Sequence, residues 1–272
     1  MRKNESMNSP FSAPLSAGLE TLLTSQPEQQ AVRTEAIEYS SGGVDFGGFV
    51  ARPESDDDVL LPAVLIISDW SGLNDHARVR ATMLARLGYI ALAGDVYGGG
   101  AQLSHDEAGP AAGKFYGDPQ LFRERLLANL EQLRSVPGVD ADRIAVMGYC
   151  FGGSASLELV RTGVQLAGAV SFHGRLGSGI RATEGDVRTP LLVLTGASDP
   201  VVPDEAVVDF ENELREAGAP DWQVVSYSGA MHAFTMPDAN APERGSQFNA
   251  RANERSWVAM KAFFAEIFAP AA

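Results

Sequence analysis

The 272-residue chain predicts an α/β fold: a mostly parallel sheet of about eight strands, flanked by helices on both faces. Three observations predict it. Short apolar runs without polar alternation recur along the chain, as strands buried on both faces require. Amphipathic segments lie between them, so each connection reads as a right-handed crossover to a parallel neighbour. The hydrophobic content is 45%, enough for one large core.

From the N-terminus, residues 1–30 are rich in Ser, Pro, Gln and Glu. They read as a loosely ordered extension with a short helix near Leu19–Thr24, and residues 31–272 as a single domain. Strands are expected at Arg33–Tyr39 and Val44–Ala51, joined as a hairpin by Ser41-Gly42-Gly43. Ala63–Ile67 is a continuous apolar run. Asp75–Leu87 is helical, with Val79, Met83 and Leu87 on one face and Gly88 as its stop. Tyr89–Ala93 is a strand, and residues 98–117, rich in Gly and Ala, suggest a mobile loop. Asp118-Pro119 forms a cap pair opening a helix through Leu126, Leu130 and Leu133. Strands at Ile144–Met147, Leu166–Phe172 and Leu191–Thr195 come next. Then come a helix between Pro203 and Ala217, a strand at Trp222–Tyr227, and a long helix carrying Trp257, Met260, Phe264 and Phe268.

The formal net charge of −14 argues against nucleic acid or anionic membrane surfaces as partners. No apolar run reaches the length of a membrane span. Residues 1–30 hold no apolar secretory core, and a single Cys excludes internal disulfides; both fit a cytoplasmic location.

Gly148-Tyr149-Cys150-Phe151-Gly152-Gly153 comes after the apolar run ending at Met147 and precedes Ser154-Ala155-Ser156-Leu157. That is strand, sharp turn, helix: a nucleophile elbow of the G-x-S-x-G kind with Cys in the nucleophile position. Small neighbours let a strained residue pack close to the sheet. The N–H of Phe151, first in the new helix, can face an oxyanion. A buried structural Cys in a Gly-rich turn is the competing reading of the motif alone.

A thiol needs a base, and the base an orienting carboxylate. In such folds the acid and then the His come after the nucleophile in the chain. Asp199 lies just past Leu191–Thr195 and His232 just past Trp222–Tyr227, so both belong to the sheet edge of Cys150. Asp204 reads as a first-turn carboxylate, His173 as a pocket or hydrogen-bonding residue, and His76 and His105 as solvated. The His residues are too scattered for a metal site, and no phosphate-cradling or dinucleotide motif is present, so no cofactor is expected. The loop Ser68-Asp69-Trp70-Ser71 after the third strand should supply the second oxyanion donor, the Trp70 N–H.

Together with Asp95-Val96-Tyr97, Gly196-Ala197-Ser198-Asp199 and His232-Ala233-Phe234, the elbow motif makes the chain resemble the dienelactone hydrolase family, the Cys-nucleophile branch of the α/β-hydrolases, from about Glu35 to Phe268. The resemblance implies the α/β-hydrolase fold, no cofactor, and hydrolysis of small esters or lactones through an acyl-thioester. It also implies that Asp69, standing where the family has Glu, restrains the resting thiol. The family's dienelactone-cleaving members grip the substrate carboxylate with two Arg at positions that here hold Gly99 and Met236. Loss of both bidentate partners points away from dienelactone. A neutral ester, another lactone or a thioester fits better, in a pocket lined by Trp70, Tyr97, Phe115, Tyr116, Phe151, His173, Phe234 and Met236. Two other uses of the fold stay open from the residues: a redox-sensing thiol, with no second Cys to resolve it, and a non-catalytic binding module.

Overall fold

The computed structural model describes residues 11, 14–28, 30–54 and 59–269. Eight strands form one sheet: β1 (Val32–Ser41), β2 (Val44–Pro53), β3 (Leu61–Ile67), β4 (Ile90–Gly94), β5 (Val139–Tyr149), β6 (Gly168–Phe172), β7 (Leu191–Gly196) and β8 (Trp222–Tyr227). Their spatial order is β1-β2-β4-β3-β5-β6-β7-β8. The hairpin β1–β2 joins antiparallel and β2 meets β4 antiparallel; every pairing from β4 to β8 is parallel.

The continuous apolar strands are explained by cover on both faces. Leu65, Ile67, Leu92 and Val146 pack toward α3 (His105–Gly117), α4 (Pro119–Ser135), α5 (Phe151–Val160) and α6 (Asp204–Glu216). Their neighbours Val64, Ile66, Ala91 and Met147 pack toward α1 (Ala17–Ser25), α2 (Asp75–Arg86) and α7 (Ala250–Ile267). The side-chain period of two divides each strand between two cores.

One segment departs from expectation. Within the stretch 98–117 read as a mobile loop, His105–Gly117 forms α3 despite Gly109, Gly113 and an internal Pro110. A capping box between Ser104 and Glu107 opens it, and Ala108, Ala112 and Phe115 are buried beneath it. Reciprocal capping and a buried face outweigh weak propensity. Of the N-terminal extension, residues 1–10, 12–13 and 29 lie outside the described residues. Ala17–Ser25 forms α1, capped by Ser16 and packed beside α2 with Leu22 buried.

Candidate active site

Parallel strands end together, so the residues just past each end share one edge of the sheet. Cys150 stands at the end of β5 with φ 54° and ψ −112°, a left-handed backbone that costs a non-Gly residue about 1–3 kcal/mol. The surroundings enforce it. The Cys150 N–H donates to the Phe172 carbonyl at 2.9 Å and lies 3.2 Å from His173 Nδ1. A Cβ on Gly152 would stand 1.9 Å from the Ile67 oxygen, and one on Gly148 2.0 Å from the Gly152 oxygen. Only glycines allow β3, β5 and α5 to meet so closely. Phe151 opens α5, so its N–H belongs to the first-turn donors that no helical carbonyl reaches.

The loop after β7 is clasped to the loop after β8: Ala197 and Ser198 donate to the carbonyls of Tyr227 and Ala230 at 3.0 and 2.9 Å. This sets Asp199 beside His232. The His232 Nδ1 lies 2.9 Å from Asp199 Oδ2, and its Nε2 lies 3.1 Å from Cys150 Sγ. A carboxylate only accepts, so Nδ1 carries a proton toward Asp199, and Nε2 faces the sulfur. The second carboxylate oxygen accepts from the Val201 N–H at 2.8 Å. His232 is pinned in turn by backbone bonds to Gly245 and from Gln247. Burial works against its charge, but the hydrogen bond to Asp199 and the adjacent Cys150 outweigh it and push the imidazole up to about 10.

The predicted Asp69–thiol contact is not formed. Asp69 Oδ1 accepts from the Ser71 N–H and hydroxyl at 2.8 and 2.6 Å, and Oδ2 from Asn74 Nδ2 at 2.8 Å. The shorter side chain is consumed in shaping its own loop and in holding Asn74, the N-cap of α2. In the same loop the Trp70 carbonyl accepts from the Tyr97 hydroxyl at 2.8 Å. Asp95, from the same motif as Tyr97, accepts from the N–H groups of Gly47, Gly98 and Gly100.

A cavity of about 800 Å³ opens onto Cys150 and His232, with Asp69, Trp70, Tyr116 and Met236 in its lining. Five other predicted pocket residues serve elsewhere. Tyr97 holds the Trp70 loop and stacks on Phe151. Phe115 is buried against Phe122 and Phe151 and lines a neighbouring cavity of about 220 Å³. Phe234 is fully buried edge-on to His173, and His173, also fully buried, joins the Cys150 N–H to Thr235 Oγ1 at 2.7 Å. Phe151, 1% exposed, is core rather than wall. Loss of hydration holds His173 well below the ordinary imidazole range. His76 is a further correction: it is 3% exposed, wedged edge-on to Tyr149, and accepts from Arg80 Nε at 3.3 Å. Burial and Arg80 hold it, too, well below its usual range.

Sequence reasoning missed Leu19, Arg175, Val201, Asp238 and Arg244, all of which line the large cavity. None carries a motif; tertiary approach alone brings them there. Among the described residues no three His, Cys, Asp or Glu side chains are grouped to hold a metal. Nor is any described helix long and apolar enough to cross a membrane.

The dienelactone hydrolase family model matches residues 46–268. A Salmonella typhimurium protein provisionally named carboxymethylenebutenolidase is 28% identical over 273 residues, covering 93% of this chain and 94% of its own. The crystal structure of a dienelactone hydrolase-like promiscuous phosphotriesterase from metagenomic libraries is 36% identical, with a TM-score of 0.82, and covers 88% of this chain and 100% of that one. A dienelactone hydrolase structure from Klebsiella pneumoniae, also provisionally named, is 26% identical with a TM-score of 0.66 over 87% of this chain and all of its own. With the α/β-hydrolase sheet and a match spanning nearly all of it, the chain belongs to the dienelactone hydrolase family.

Proposed function

We propose that the protein hydrolyses small esters or lactones through an acyl-thioester on Cys150. The observation that carries this reading is the continuous relay from Asp199 Oδ2 through His232 to Cys150 Sγ, with links of 2.9 and 3.1 Å. His232 Nε2 takes the thiol proton and the imidazolium so formed is stabilised by Asp199. The thiolate attacks the carbonyl carbon, and the electron pair moves to an oxyanion facing the N–H groups of Phe151 and Trp70. The carbon–oxygen bond then breaks, and the leaving oxygen takes the proton from His232. Water gives a proton to the same nitrogen, adds to the thioester, and expels the sulfur.

Replacement of both carboxylate-gripping positions by Gly99 and Met236 supports esters or lactones other than dienelactone, with Arg175 and Arg244 the guanidinium groups in the cavity lining. The likeness to a promiscuous phosphotriesterase supports adding a neutral aryl phosphotriester to the panel. The test is release of p-nitrophenol from short-chain esters, with intact mass to detect the added acyl group. Wild type should turn over and Cys150→Ala should not. Equal rates for the two would remove the assignment, and thiol oxidation without turnover would favour a sensing role.

A further inference from the structure

The helix α1 lies before the region matched by the family model, which begins at residue 46. It nonetheless reaches the cavity over Cys150. Leu19 is part of the same lining as Cys150, His232, Met236 and Pro237.

Both ends of α1 are tied to the body. At its start Ser16 Oγ accepts from the Leu19 N–H and donates to Asp238 Oδ2 at 2.8 Å. Gly18 abuts Pro237 so closely that an added Cβ would come within 2.7 Å of the Pro237 Cβ. Pro237 and Asp238 sit in the loop that leaves His232. At its end, where helix carbonyls lack internal donors, Arg86 Nη1 donates to the carbonyls of Leu23 at 2.6 Å and Gln26 at 2.9 Å. Trp257 Nε1 reaches Gln26 Oε1 at 3.4 Å, and Leu22 and Gln26 are each 4% exposed. A helix held this way is a fixed boundary, and the side chain it presents to the cavity defines the space there.

We propose that α1 is a built wall of the substrate cavity and that Leu19, with Met236 and Pro237, sets the size of the apolar group admitted beside Cys150. Leu19 is then a specificity-determining residue supplied from outside the matched catalytic body. Its expression in ester turnover rests on the hydrolase reading; its effect on access to the sulfur does not.

The chain has one Cys, so alkylation reads the cavity without turnover. Rates of modification by N-methylmaleimide and N-benzylmaleimide are measured by intact mass for wild type, Leu19→Ala and Leu19→Trp. In parallel, kcat/KM is taken for two p-nitrophenyl series, one varying acyl length and one varying acyl branching. Leu19→Trp should lower the benzyl-to-methyl rate ratio about tenfold, a difference of ~1.4 kcal/mol, and Leu19→Ala should raise it. The ester series should shift in the same sense. Ratios identical to wild type in both variants, with unchanged circular dichroism, would overturn the proposal. Shifted maleimide ratios with no ester hydrolysis by wild type would uphold the wall and reject the hydrolase reading.

Discussion

Cys150, Asp199 and His232 stand just beyond β5, β7 and β8, whereas Leu19, Tyr116 and Met236 reach the same cavity from α1, α3 and a long loop. The first group is the floor of the site and the second its wall. The floor is set by hydrogen bonds between neighbouring strand ends, with Gly148 and Gly152 admitting backbone contacts that no side chain would permit. The wall is set by the packing of elements far apart in the chain. The floor should therefore govern whether chemistry occurs, and the wall which molecules undergo it.

The largest effects should come from breaking the floor. His232→Gln removes both links of the relay and should lower kcat by about 10⁴-fold for every ester in a panel, as loss of a triad member does elsewhere. A loss confined to bulky substrates would place His232 with the wall. Gly152→Ala should be nearly as severe through folding, since its Cβ would overlap the Ile67 carbonyl at 1.9 Å. Soluble, fully active Gly152→Ala protein would show that β3 and α5 are not locked together.

Titration sharpens the same contrast. The folded His232 is raised from 6.5 to about 10, so its protonation contributes stability fully present below pH 6.5 and lost as pH rises through about 10. The stability difference between wild type and His232→Gln should shrink over that window in urea titrations. A constant difference would contradict the coupling to Asp199 and Cys150. The fully buried His76 and His173 behave oppositely. Both are held well below 6.5, so the unfolded chain takes up protons the folded one refuses. Stability should fall as pH drops below 6.5, by about 1.4 kcal/mol per pH unit for each. A flat urea midpoint between pH 7 and 5 would show that one or both accept a proton in place.

A smaller effect is expected at the join between floor and wall. Tyr97→Phe removes one hydrogen bond to the Trp70 carbonyl, a contribution of about 1 kcal/mol. It should reduce kcat several-fold with little change in KM, because it frees the loop that carries Trp70, whose N–H is the proposed second oxyanion donor. A change in KM alone would assign Tyr97 to substrate contact.

The difference in legibility between the two regions has a physical cause. A strand buried on both faces leaves a continuous apolar run, and an elbow leaves a Gly–x–Cys–x–Gly cluster, so the placement of Cys150, Asp199 and His232 at one edge is readable from local pattern. Asp69 is a limit of that reading: position in a motif does not say that Ser71 and Asn74 will occupy its oxygens. His76 is another, because a polar residue in a helix's first turn looks solvated until Tyr149 and Arg80 enclose it. Gly109 and Pro110 argue locally for a loop, and only the capping box and the buried face of α3 show the helix.

The alternation of strands and helices, the strained turn at Cys150, and the order of thiol, carboxylate and imidazole were all set by the amino-acid order, because each is written in the spacing of adjacent residues. That Leu19 joins Met236 in the cavity lining was a matter for the folded chain alone. Leu19 and Met236 are separated by more than two hundred positions. Their meeting depends on how α1 packs against α2 and α7, a sum of many weak contacts that no local pattern encodes.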